Sequence, residues 1–121
     1  MSDARKRLGD SGERIARVFL EKNGYRILET NYRSSIGEID IVARDGDTLV
    51  FVEVRTRRGG NLGTPEESVT EAKRAKLIDL AHTYLQEHDH PTDLWRIDMV
   101  AIEIDTNGKI LRTELIKNVT E

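Results

Sequence analysis

Between residues 11 and 23 the apolar positions Ile15, Ala16, Val18, Phe19 and Leu20 recur at helical period, and Gly24 follows where a left-handed residue commonly closes a helix. This predicts a first helix over residues 11–23, with an earlier start near Asp3 also allowed. Residues 25–32 read as a strand, and the runs at residues 38–44 and 47–55 read as a hairpin. Thr64 with Glu67 forms a capping-box pattern with Pro65 in the first helical position, and Thr70 offers a later start for the same second helix. That helix extends to about His88, with Leu77, Ile78, Ala81, Tyr84 and Leu85 on its buried face. Strands at residues 95–104 and 110–117, joined around Asn107-Gly108, complete the order αβββαββ and an α/β fold class.

The turn sets the register of the hairpin. Asp45-Gly46 is the dipeptide best suited to a two-residue type I′ loop, whose central residues both need φ > 0. Counting from it, Arg44 faces Asp47, Val42 faces Leu49, Asp40 faces Phe51 and Glu38 faces Glu53. Asp40 and Glu53 are then diagonal neighbours on one face, roughly 7 to 8 Å apart. A divalent ion with bonds of about 2.0 to 2.4 Å to each carboxylate bridges that gap. The other face carries Ile39, Ile41, Ala43, Val50, Val52 and Val54, wholly apolar and so expected under a helix. A three-residue loop centred on Gly46 sends Asp40 and Glu53 to opposite faces instead, because a one-residue slip inverts every side chain. Acids on the solvent face of an antiparallel strand are ordinary. Glu53 differs because it lies in Leu49-Val50-Phe51-Val52-Glu53-Val54, a run apolar enough for burial on both faces, where a carboxylate requires a cation or a metal.

A length of 121 residues fits one domain, residues 1–121, with one core. The absence of Cys excludes disulfides, thiolate zinc sites and thiol catalysis, and makes a reducing cytoplasm the natural setting. Met1 to Arg7 lead into no apolar segment of the kind that directs export, and no stretch approaches the roughly 18 apolar residues of a membrane span, so no membrane partner is expected. A net charge of -3 argues against indiscriminate polyanion binding, so a nucleic-acid surface has to be a local basic patch. Candidates are Arg55, Arg57 and Arg58 with Arg44, and separately Arg5, Lys6 and Arg7.

Several short motifs point together to a family. They are Gly12-Glu13 with Ala16, Gly24-Tyr25, Asn31-Tyr32-Arg33, Gly37-Glu38-Ile39-Asp40, Phe51-Val52-Glu53-Val54-Arg55 with Arg57, Gly63 with Pro65 and Val69, Lys73 with Lys76-Leu77, and Asp98-Met99-Val100-Ala101. Over nearly its whole length the chain resembles the uncharacterised bacterial YraN-like family. That family is placed in the PD-(D/E)XK nuclease superfamily and is similar in outline to archaeal Holliday-junction resolvases. The resemblance implies a restriction endonuclease-like fold, with a central mixed five-stranded sheet flanked by helices. It further implies a metal-dependent endonuclease acting on DNA, structured or branched DNA included, and it makes a homodimer reasonable.

Carried over by position, Asp40 matches the first acid of the superfamily motif and Glu53 its second. Arg55 stands in the Lys place, and Glu13 matches an acid that the resolvases carry on the opening helix. Asp40, Glu53 and the carbonyl of Val54 would hold one or two Mg2+ or Mn2+ ions. Arg55 departs from the pattern: a guanidinium cannot accept a proton, although it can orient water or stabilise charge on a phosphate. The alternative is therefore a catalytically silent module that binds nucleic acid through Arg55, Arg57, Arg58 and Lys73. A protein-interaction domain on the same fold is a third reading.

Each of these residues also has a plain structural explanation. Glu13 suits the positive end of a helix dipole, and Lys73 suits an amphipathic helix whose lysines reach along its flank to water. Arg57 and Arg58 flank Gly59-Gly60, which lets backbone approach a phosphate, yet loop arginines are common. His82, His88 and His90 lack a closed ligand set and read as solvated histidines. Arg96 and Asp98 share a strand face and read as an ion pair, while Trp95 and Tyr32 read as core or interface.

Overall fold

The computed structural model describes residues 2–59, 63–88 and 94–120, with side chains from residue 8 onward. Its elements are α1 (Ser2–Lys22), β1 (Arg26–Ser34), β2 (Gly37–Asp45), β3 (Thr48–Arg58), a 3-10 turn (Glu66–Ser68), α2 (Glu71–Glu87), β4 (Leu94–Ile104) and β5 (Ile110–Ile116). The sheet runs β1-β2-β3-β4-β5; β3 and β4 are parallel and the other neighbours antiparallel. The chain is thus a mixed α/β structure in which α2 supplies the crossover that a parallel pair requires. On one face Ala16 and Leu20 of α1 pack on Ile41, Ala43, Val50, Val52, Val100 and Ile102. On the other, Leu77, Leu80, Ala81, Tyr84 and Leu85 of α2 pack on Val42, Leu49, Phe51 and Ile97.

Helix α1 takes the early start, near Asp3 rather than at Ser11, and ends at the expected glycine. Gly24 adopts φ 87°, and the N–H groups of Tyr25 and Gly24 close back onto the carbonyls of Leu20 and Glu21 at 3.0 and 3.1 Å. Helix α2 takes the later start. The Thr64–Glu67 box does form, with Thr64 N donating to Glu67 Oε1 at 2.8 Å, but it caps only the 3-10 turn. Val69 then becomes extended and buries its side chain beside Met99 and Ala101, so the helix restarts at Thr70, whose Oγ1 accepts from Lys73 N at 3.1 Å.

The hairpin register differs from the expected one by two residues. Asp45 pairs Thr48, Arg44 pairs Leu49 and Val42 pairs Phe51, so the loop is Gly46-Asp47 rather than Asp45-Gly46. Gly46 has φ 60°, as the first central residue of a II′ turn requires. Asp45 stays in the ladder because Arg96 Nη2 of β4 holds its Oδ2 at 2.7 Å.

A two-residue shift preserves parity, yet the expected division into an apolar face and a charged face is also corrected. The face assigned to charge carries Val42, Leu49 and Phe51 under α2, and Ile39 lies with them rather than with Ile41. Alternation breaks at Asp40, opposite Asn31 of β1, which is itself in the left-handed region at φ 55°. Thr30 pairs Ile41 and Tyr32 pairs Ile39 on either side of this break, and Tyr32 and Ile39 both pack beneath α2. Both strands therefore change faces at one level, and Asp40 sits at the crossing.

Candidate metal centre

Asp40 occupies a position where the ladder lacks a backbone partner. The last paired positions of β2 and β3 are Ile41 and Val52, and one step further the Asp40 carboxylate accepts the Val54 N–H at 2.8 Å. Glu53 lies at the same level, only 6% exposed, and close enough for its charge to act on Asp40. Burial above all, then the charge of Glu53, pushes Asp40 up to about 7, against the lowering effect of the Val54 N–H. In an extended strand a residue's N–H and C=O leave on the same side, so the Val54 carbonyl also faces the β2 side of β3.

Two more acids converge here. Carboxylate oxygens of Glu13, Glu38 and Asp40 all lie within 4.8 Å of one another. Glu13 arrives from α1, which approaches β3 closely because residue 12 is glycine: a Cβ there would overlap Thr56 Oγ1. Burial raises the proton affinity of Glu13, a hydrogen bond from the Asn31 side chain opposes it, and the charges of Glu38 and Asp10 raise it further. Glu38 comes from the start of β2 and is paired with Arg33 at 3.4 Å.

The cations stand on the Glu53 side. Lys73 Nζ reaches from α2 to 3.5 Å from Glu53 Oε2, and Arg55 Nε lies 2.9 Å from the same oxygen. The Arg55 N–H is not aligned for a hydrogen bond and stands buried without an acceptor. An open cleft of about 270 Å³ gives access, lined by Leu8, Gly9, Glu13, Asp40, Val54, Arg55 and Thr56. Oxygen donors gathered at the mouth of such a cleft, with their mutual repulsion uncompensated at Asp40, match what a hard dication binds.

The predicted residues are therefore placed as follows. Asp40, Glu13 and the Val54 backbone border the cleft together with Arg55. Glu53 touches Asp40 but is not part of the three-carboxylate group, and is held by Lys73 and Arg55 instead. Arg57 and Arg58 lie beyond, at the end of β3, where Arg58 borders a neighbouring cleft with Leu8, Ser11, Gly12 and Thr56. Gly60 and His90, and the side chains of Arg5, Lys6 and Arg7, lie outside the described residues. His88 stacks on Tyr84 with ring centroids 3.8 Å apart and lies 3.9 Å from Glu29 Oε1, and His82 packs edge-on against Trp95 at 5.3 Å; neither belongs to the three-carboxylate group. The ion pair expected of Arg96 and Asp98 forms at 2.9 Å, and Tyr32 and Trp95 are packed in or against the core.

Glu38 and Asn31 are the two members that reading the chain passed over. Glu38 carried a signal, since it lies two residues before Asp40 and shares its parity, but the misplaced register directed it at Glu53. Asn31 carried only the tolerance of asparagine for left-handed backbone.

Comparison with known proteins supplies the family. Over 122 aligned residues the chain is 48% identical to a UPF0102 protein of Roseiflexus castenholzii, covering 100% of this chain and 98% of that one. It is 45% identical to a UPF0102 protein of Pelotomaculum thermopropionicum over 98% of both chains. A UPF0102 protein of Symbiobacterium thermophilum is 47% identical over 93% of this chain and 95% of its own. None of these names carries an activity. With residues 12–102 matching the family as a whole, the chain belongs to the uncharacterised protein family UPF0102, the YraN-like family that its motifs resemble.

Proposed function

We propose that this protein is a metal-dependent endonuclease of restriction endonuclease-like fold that hydrolyses phosphodiesters in DNA, with structured or branched DNA as the favoured substrate. The observation that carries the proposal is the meeting of Glu13, Glu38 and Asp40 within 4.8 Å at an open cleft, beside a buried Glu53. Asp40, Glu13, Glu38 and the Val54 carbonyl would hold Mg2+ or Mn2+, with Glu53 next to them. When bound, the ion supplies a water of lowered pKa and neutralises charge on the phosphate.

The remaining work falls to side chains of the chain itself. With its carboxyl pushed up to about 7 by burial and by Glu53, Asp40 is partly protonated in the metal-free site near neutral pH, and ion binding has to displace that proton. Lys73 and Arg55 stand against the buried Glu53 carboxylate at 3.5 and 2.9 Å and hold it in place. Arg55 borders the cleft, where its remaining guanidinium N–H groups can meet phosphate oxygens; its high proton affinity excludes it as the base. Arg57 and Arg58 extend the cationic path along β3, suited to positioning a backbone rather than reading bases.

The test is cleavage of single-stranded, duplex and four-way-junction DNA with Mg2+ or Mn2+, comparing the wild type with Asp40→Ala. Equal cleavage by both would refute the assignment. The second reading, a nucleic-acid-binding module without cleavage, is favoured by one observation: the strand position two after Glu53 holds a guanidinium committed to Glu53. It predicts salt-dependent DNA binding that needs no metal and weakens when Arg55, Arg57, Arg58 or Lys73 is replaced by Ala.

A further inference from the structure

Strand β5 closes one edge of the sheet, and among the described residues no strand pairs with its outer side. Its sequence is Ile110-Leu111-Arg112-Thr113-Glu114-Leu115-Ile116, which is chemically the same read in either direction except that Arg and Glu exchange places. In an antiparallel pair centred on Thr113, Thr113 meets itself and Arg112 meets Glu114, with Leu111 and Leu115 at the next positions; at Leu111 the strand is bulged against β4, so the pairing does not extend to Ile110. Opposite charges and matched aliphatics directly across such a pair are stabilising, and like charges are not. The strand thus carries the complement of its own edge.

The exposed surface fits the same arrangement. Leu111, Ile110 and Val18 are 61%, 46% and 52% exposed. Ile110 and Thr113 form one wall of an apolar groove of about 420 Å³ whose other wall is Ile15, Val18 and Phe19 of α1. The opposite edge of the sheet is built differently. β1 is interrupted by an irregularity between Ile27 and Glu29 and again by left-handed Asn31, which are devices that blunt an edge against pairing. On β5 the register with β4 is regular from Arg112 to Ile116, and its irregularity, at Leu111, lies to one side of residues 112–114 rather than within them. The side chain of Arg112 is also held in place: Glu66 of the 3-10 turn, Glu103 of β4 and Glu114 of β5 surround it at 2.5, 2.5 and 2.9 Å.

We propose that two copies of this chain join edge to edge through β5, antiparallel about a two-fold axis at Thr113, giving one continuous sheet across the dimer. Each Arg112 then lies between its own Glu114 and that of the second copy. The apolar groove is covered by the second copy where the two α1 helices flank the joint. This contact is independent of the nuclease reading and stands or falls without it.

The test uses the full chain. Sedimentation of the wild type across the micromolar range gives a dimer, and Thr113→Glu, which sets two carboxylates against each other on the axis, weakens it about tenfold or more. Because the chain has no Cys, Thr113→Cys reports the register directly. Directly opposed residues have Cα atoms roughly 4.5 to 5.5 Å apart, within disulfide reach, so mild oxidation cross-links the variant to itself. Leu111→Cys, whose copies lie roughly 13 Å apart in this register, does not, whereas a mixture of Leu111→Cys and Leu115→Cys does. A wild type that stays monomeric would overturn the proposal. So would a dimer in which Cys at 113 fails to cross-link, or cross-links no faster than Cys at 111 or at Leu28 on the other edge. Thr113→Cys under reducing conditions, compared with the wild type by circular dichroism, separates a lost contact from a lost fold.

Discussion

Replacing Asp40 by Asn should stabilise the metal-free protein, and the gain should grow with pH. The wild-type carboxyl is pushed up to about 7 by burial and by Glu53, whereas in the unfolded chain it titrates near 3.8. The folded state therefore holds this proton more tightly than the unfolded state does. The stability associated with it is complete below about pH 4 and is lost as pH rises through 7. Above pH 7 the loss amounts to about 4 kcal/mol at most. Asn reproduces the protonated form: its carbonyl accepts the Val54 N–H in place of Oδ2, and its amide donates to Glu53. The variant should match the wild type near pH 4 and exceed it by up to about 4 kcal/mol at pH 8 in chelator. Comparing the two proteins at each pH cancels the opposite contribution of Asp45, Glu66 and Glu67, whose proton affinities are lowered.

Urea unfolding at pH 5 and pH 8, in chelator and with Mn2+, is the assay. At about a hundred times its dissociation constant Mn2+ should stabilise the wild type at pH 8 by about 2.7 kcal/mol, less at pH 5 where protons compete, and Asp40→Asn very little. The reasoning fails if Asn is less stable than Asp at pH 8 in chelator, since the ionised carboxylate would then be a net stabilising acceptor for Val54. It fails equally if Mn2+ stabilises both proteins alike.

Gly12→Ala should cost about 1 to 3 kcal/mol through overlap with Thr56 Oγ1 and should weaken Mn2+ binding by displacing Glu13; adding Thr56→Ala should restore both, read by urea unfolding and calorimetry. Arg96→Ala leaves Asp98, 0% exposed, with only the Tyr25 hydroxyl and the Asn118 N–H, so it should destabilise by about 3 to 5 kcal/mol. Mn2+ affinity of a folded Arg96→Ala protein that keeps the hairpin register should be unchanged, because this network lies away from the carboxylates; a weakened affinity would show that the register had moved. On the nuclease reading, Lys73→Ala should lower kcat by about tenfold to a hundredfold with little change in Mn2+ affinity, and Lys73→Arg should recover part of the loss; a parallel loss of metal binding would instead place Lys73 in support of the ligand set.

The order of elements, the apolar stripes of both helices and the meeting of Asp40 with Glu53 could be read from the chain, because each depends on period or parity. The register could not. A shift of two residues leaves every side chain on its face, so the hydrophobic pattern of residues 38–55 fits both loops equally. The choice was made by Arg96, 51 residues away in the chain, pulling Asp45 into the ladder. The break at Asp40 was hidden for a related reason. It depends on Asn31 across the ribbon, and strand alternation read along one segment contains no information about the neighbour's backbone. Glu38 was missed as a consequence, since it joins Asp40 and Glu13 only once both strands have changed faces.

The late start of α2 links core packing to the charge at Glu53. Had the helix begun at Thr64, Val69 would lie within its first two turns and could not fill the space beside Met99 and Ala101. Extended Val69 fills it, Thr70 caps the restart, and Lys73 falls in the first turn, directly bonded through its own N–H to the cap. A lysine near the positive end of a helix is disfavoured by the dipole. At this position the cost is offset by Glu53, 3.5 Å away and 6% exposed, which would otherwise share its burial with Asp40 and only one other charge, the misaligned Arg55. The guanidinium on the strand and the ammonium on the helix therefore divide one task. Together they stand against Glu53, while burial and the charge of Glu53 push the carboxyl of Asp40, the group that faces the cleft, up to about 7.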